Sequence, residues 1–205
     1  MSQRAPNAMN RIALIVTDAS PLITLSIAKA LDTLLMAGMR VIIPDMVRFE
    51  VTRHMDKPGA KNLLDWIRKH DLQEVFIGST EVFEEFSLLS RVNPLTKSRN
   101  RGEFAAAEIL DREIAGGVEA ALLLFEDSDL KKPSFSMRMP PHVLLVSTSS
   151  FLDGLQRRGL IQDANAILSR ATSLRVDGIL NWEEIPMHGA EDLVDSFEES
   201  FPRPR

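Results

Sequence analysis

The sequence predicts an α/β fold, a three-layer α/β/α sandwich whose central sheet is mainly parallel. Three observations carry that prediction. Short, fully apolar runs of strand-forming residues recur along the chain, they alternate with stretches whose apolar residues fall at helical spacing, and two of the runs end in acids. Strands buried on both faces read in this way.

The first run, Ile12-Ala13-Leu14-Ile15-Val16-Thr17, reaches Asp18-Ala19-Ser20-Pro21 and then a helical pattern from Leu22 to Met36, expected as two short helices or one bent one and stopped by Gly38. Either Asp18 or Ser20 can cap that helix. Arg40 to Pro44 reads as a second strand, with Pro44-Asp45 opening a helix that carries Val47, Phe49, Glu50 and Val51. After the turn Lys57-Pro58-Gly59, residues 60–69 form an amphipathic helix with Leu63, Leu64, Trp66 and Ile67 inward. Gln73 to Ile77 is a third strand, and Thr80 caps the helix through Val82, Phe83, Phe86 and Leu89.

A polar basic loop from Arg91 to Arg101 leads to Gly102-Glu103 and a strong helix that ends at Gly116-Gly117. Ala120 to Phe125 is the second strand to run into acids, here Glu126-Asp127-Ser128-Asp129. Residues 131–141 read as an irregular loop, and His142 to Val146 resumes the alternation as a strand. Ser147-Thr148-Ser149-Ser150 then opens a helix through Phe151, Leu152 and Leu155, and residues 161–173 form one more. From Asp177 onward the composition turns acidic, so the expected organisation is one domain over residues 10–175 and an acidic C-terminal extension over 176–205.

Composition narrows the function. A chain of 205 residues can bury one sizeable core, and the absence of cysteine excludes disulfides, thiolate zinc sites and cysteine nucleophiles. That usage fits a reducing cytoplasm, and no apolar run is long enough for a membrane span, so a cytoplasmic location is expected. The net charge of −5 argues against a protein that coats nucleic acid through many phosphate contacts. It leaves room for a nuclease, because bound cations reverse the local sign of an acidic site. The histidines His54, His70, His142 and His188 lack metal-ligand spacing, and no glycine-rich phosphate loop follows a strand.

Parallel strands present their carboxyl ends at one edge, where ligands bind in open α/β sheets. Asp18 and Asp127 should therefore share that edge. Glu103, in the first turn of the helix before the second acidic strand end, can reach it, and Asp129 is the natural fourth member. Such a cluster repels itself at a cost on the order of several kcal/mol unless a cation sits within it. Oxygen-only donors point to Mg²⁺ or Mn²⁺. With Asp18 given to that set, the capping role passes to Ser20. An aspartyl-phosphate receiver fits worse, since Ser20 stands where a second acid is wanted and no lysine follows Val146.

Taken in order, Thr17-Asp18-Ala19-Ser20-Pro21-Leu22, Ile43-Pro44 leading to Glu50, Gly102-Glu103-Phe104-Ala105-Ala106 and Asp127-Ser128-Asp129-Leu130 resemble the acidic set of PIN-domain ribonucleases. Val146-Ser147-Thr148 and Gly159-Leu160-Ile161 extend the likeness, which covers residues 12–170. The resemblance implies catalytic and metal-binding roles for Asp18, Glu103, Asp127 and Asp129, with Glu50 matching a further acid and Ser20 and Thr148 matching hydroxyls near the metal. It implies metal-dependent hydrolysis of RNA phosphodiester bonds, with Lys97, Arg99 and Arg101 placed in a loop that can hold adjacent phosphates. It also implies a toxin role with an antitoxin protein as partner, and a homodimer. The reading of another class is a PIN-fold module that binds RNA or protein without cutting.

Overall fold

A computed structural model describes residues 12–98, 100–126 and 139–174. Five strands form one sheet: β1 (Ile12–Thr17), β2 (Arg40–Pro44), β3 (Val75–Gly78), β4 (Ala120–Phe125) and β5 (Val143–Ser147). Every pairing is parallel, in the order β3-β2-β1-β4-β5. The expected sandwich is the fold observed. Seven α-helices occur among the described residues: α1 (Ala19–Ile27), α2 (Asp45–Thr52), α3 (Ala60–His70), α4 (Glu81–Val92), α5 (Arg101–Ala115), α6 (Thr148–Arg157) and α7 (Ala164–Leu174). A short 3₁₀ turn, Leu31–Leu34, follows α1, so the pattern over 22–36 resolves into two pieces.

Both sheet faces are apolar because both are covered. Ile15, Val41, Ile43, Leu122 and Leu124 pack with α1, α3, α6 and α7, whereas Leu14, Val16, Ile42, Ala121 and Leu123 pack with Ala106, Ile109 and Leu110 of α5. At the end of β3 this packing leaves no room for a side chain. A Cβ on Gly78 would meet the Cδ1 of Ile109 and stand 3.1 Å from the Cγ2 of Ile42. Gly78→Ala should therefore destabilise the protein by about 1–3 kcal/mol, read as a lower urea midpoint with an unchanged slope.

Chain order makes β1 and β4 neighbours at the point where the strand sequence reverses, and the crevice outside their carboxyl ends is the expected ligand position. The backbone N–H of Asp18 donates to the carbonyl of Leu124 at 3.0 Å, which fixes Asp18 at that edge. A second buried carboxylate, Asp45, is spent on architecture. It accepts from its neighbour Met46 N–H (2.8 Å) and from Thr80 through both N–H (3.0 Å) and hydroxyl (2.6 Å), tying the start of α2 to the start of α4. Among the described residues no helix is long and apolar enough to cross a membrane. Residues 176–205, the expected acidic extension, lie outside the described residues.

Candidate acidic centre

Asp18 occupies the N-cap position of α1, yet its side chain makes no capping hydrogen bond. Ser20 lies inside the first turn of α1 rather than before it, which corrects the expectation that it is the cap. The helix starts earlier than its apolar pattern does, because Pro21 is well tolerated in a first turn. Asp18 is 7% exposed, a low value for a carboxylate.

Glu50, from the second turn of α2, reaches the same place. Both carboxylates converge over Gly102, where a Cβ would stand 2.9 Å from Glu50 Oε2 and 3.3 Å from Asp18 Oδ1. Gly102 is buried in the first turn of α5, and Glu103 follows it half-buried. Burial first, and then the Asp18 carboxylate, push Glu50 up to about 7; Glu103 adds a further, smaller push. Arg53 charge and a hydrogen bond from Ser98 act the other way. Glu50 of α2 thus feels both Asp18, just past β1, and Glu103 of α5 at the carboxyl edge of the sheet. Among the described residues, no group of three acids or histidines is close enough to hold a metal ion by itself.

A raised carboxyl pKa makes the folded state hold a proton that the unfolded chain releases near its ordinary value of 4.5. The stabilisation is complete below that value and is lost as pH rises through about 7. In chelator, the protein should be less stable at pH 8 than at pH 5 by about 1–2 kcal/mol from this group, allowing for solvent screening. Thermal melts of the protein and of Glu50→Gln at both pH values check this, the variant losing that part of the pH dependence.

The remaining expected residues divide. Asp127, Asp129 and Arg99 lie outside the described residues. Glu126 accepts from the Thr24 hydroxyl at 2.9 Å, so it joins the end of β4 to α1. Thr148 opens α6 directly behind β5 and is fully buried, its hydroxyl without a hydrogen-bond partner among the described residues; Ser147, one position earlier, caps the helix. Lys97 is exposed on the loop between α4 and α5. Arg101 is the first residue of α5, where its guanidinium stands 3.9 Å from Glu85 and over the ring of Phe86. Two residues that the sequence reading did not single out, Arg53 and Ser98, act on Glu50 and are joined to each other by a 3.1 Å hydrogen bond. Arg53 was legible in principle, three residues after Glu50 on one helix; nothing local in the sequence marks Ser98.

Residues 14–93, which hold β1 to β3 and α1 to α4, match a family model described as a PIN domain. A comparison with curated proteins gives no match. The matched segment contains Asp18 and Glu50, and the sheet it begins is completed by β4 and β5 in one parallel order. That match and that sheet together support a PIN-domain assignment and a PIN-like, nuclease-like α/β/α sandwich.

Proposed function

We infer that this protein is a metal-dependent ribonuclease that hydrolyses RNA phosphodiester bonds at the acidic centre. The observation that carries the reading is the convergence of Asp18 and Glu50 over Gly102, beside Glu103, at the reversal point of the sheet. The donors are all oxygens, and the missing side chain at Gly102 keeps the space between two of them open, a combination that suits a hard divalent cation such as Mg²⁺ or Mn²⁺. Asp18 and Glu50 would contribute donors, and the family resemblance adds Glu103, Asp127 and Asp129 to complete the set. When bound, such an ion activates water and neutralises charge that develops on the scissile phosphate.

The chain's own residues do the rest. Asp18 is held at the edge by its backbone bond to Leu124, α2 brings Glu50 to it over Gly102, and Glu103 in the first turn of α5 adds its charge to Glu50. Lys97, Arg99 and Arg101 would hold flanking phosphates, and Ser20 and Thr148 would stand near the cation. A toxin role, an antitoxin partner and a homodimer belong to this reading through the family resemblance.

The test is incubation of the full chain with single-stranded RNA in Mn²⁺ and in chelator. Cleavage in Mn²⁺ that chelator abolishes supports the reading. RNA binding without cleavage in either buffer replaces it with a binding module, and neither binding nor cleavage overturns it.

A further inference from the structure

The inner face of α4 packs into the body of the protein: Phe86 meets Met46 of α2 and Ala105 of α5, with Val82 and Phe83 beside them. The outer face carries an apolar stripe. Leu88, Leu89 and Val92 fall at helical spacing there, Leu95 continues the line into the following loop, and all four are exposed, Val92 and Leu95 at 86%. Hydrogen bonds fold that loop against the end of α4: Asn93 N–H donates to the Leu89 carbonyl at 2.8 Å, and the Thr96 hydroxyl donates to the Asn93 carbonyl at 2.7 Å. Exposed Phe104 lies one turn along α5 from Arg101, whose guanidinium stands over Phe86.

Area helps to choose the occupant. These five side chains expose on the order of 500 Å², the size of the largest apolar patch on an ordinary monomer. A stable association between separate chains buries about 800 Å² on each partner, so the stripe is small for a second copy. It is large enough for a tethered segment, whose effective concentration is set by the chain that carries it.

The sequence contains a segment of matching chemistry. Between Gly189 and Pro202, at helical spacing, Ala190, Leu193, Val194, Phe197 and Phe201 fall within an arc of about 100°, and Glu191, Asp192, Asp195, Glu198 and Glu199 fall opposite. A helix of that length is marginal in water by itself, so an apolar arc of this kind needs a surface to cover. Residues 176–205 hold eight of the chain's 29 acids and two of its 24 lysines and arginines; they carry a net −6 and leave the rest of the chain at +1. Arg91 on α4 and Lys97 in the loop lie at the basic end of the stripe, both exposed and without an ion pair among the described residues. Glu84 and Glu85 lie toward the other end of α4, so the acids of the segment are drawn to the loop end. Reach is sufficient. Helix α7 ends at Leu174 on the α1 side of the sheet, where Arg170 donates to the Ala28 carbonyl at 3.1 Å. Residues 175–189 can span about 50 Å when extended, more than the roughly 40 Å width of a domain of this size.

We propose that residues 190–201 dock as an amphipathic helix, within one chain, on the stripe formed by α4, Leu95 and Phe104, with Glu191 and Glu198 at the border of the apolar arc beside Arg91 and Lys97. The assignment is independent of the nuclease reading above.

The chain contains no cysteine, so an introduced pair reports proximity without interference. The full chain carrying Val92→Cys and Ser196→Cys, each near the middle of its segment, is treated with a short bis-maleimide. The comparison pair is Met36→Cys with Ser196→Cys, Met36 being exposed on the α1 side of the sheet. Linkage within one chain, at a rate independent of protein concentration, should be at least about tenfold faster for the Val92 pair, and Phe197→Asp should remove that advantage by taking away a large apolar anchor. Melting temperatures within a few degrees of the parent show that the fold is kept. Equal rates for the two pairs overturn the proposal, and so does a Val92 pair that is indifferent to Phe197→Asp. Products that link only two separate chains, formed faster at higher protein concentration, also overturn it and give the stripe to a second copy.

Discussion

Asp18→Asn is expected to reduce Mn²⁺-dependent RNA cleavage by at least about a hundredfold, since a charge-bearing metal ligand contributes several kcal/mol to such a transition state. The same substitution should leave the melting temperature in chelator unchanged or raise it. Asparagine keeps the size of the side chain and is as good an N-cap as aspartate. Asp18 makes no capping hydrogen bond that its removal could cost α1, and its charge lies near Glu50, which is itself driven toward neutrality by that neighbour. Removing the charge relieves repulsion in the metal-free protein. A residue whose task is to cap a helix behaves in the opposite way, losing about 1 kcal/mol of stability when its cap is removed. Cleavage assays in Mn²⁺ and melts in chelator, run on one preparation, separate the two roles. Full activity together with a lower melting temperature would return Asp18 to the role of a cap.

The sheet was legible because a parallel strand buried on both faces has to be apolar throughout, and the five strands of this one stand out as apolar runs between helical patterns. Their common polarity then places Asp18 at an edge. Periodicity shows Glu50 only as an acid on a helix, and it was the family resemblance that put it near Asp18. That contact depends on how α2 is rotated, which is set by Asp45 gripping Thr80, thirty-five positions along the chain. The start of α1 was misplaced by reading its apolar spacing, when Ala19 and Ser20 already have helical geometry and leave Asp18 at the cap position. Arg101 looked like a loop cation, whereas α5 begins at that residue and turns its guanidinium to Glu85 and Phe86. Ser98 depends entirely on loop geometry, for which residue types carry no periodic signal.

Gly102→Ala should separate stability from function most sharply. Gly102 lies within α5, where alanine is favoured over glycine by up to about 1 kcal/mol, so the exchange alone should hold or raise the melting temperature. The added methyl, however, enters the space between the carboxylates, 2.9 Å from Glu50 Oε2, 3.3 Å from Asp18 Oδ1 and 3.4 Å from Val47 Cγ2. The atom under most pressure is the far end of a long, rotatable side chain, and it can yield without unfolding anything. Glu50 then leaves its place over α5, and the space that a cation would fill is partly closed. Mn²⁺ affinity should fall on the order of tenfold, as when a ligand loses its orientation, and cleavage should fall with it. Melts in chelator and Mn²⁺ titration decide the matter together. A lower melting temperature with unchanged Mn²⁺ binding would mean that the glycine serves the packing of Val47 against α5, and that the gap above it has no part in binding the ion.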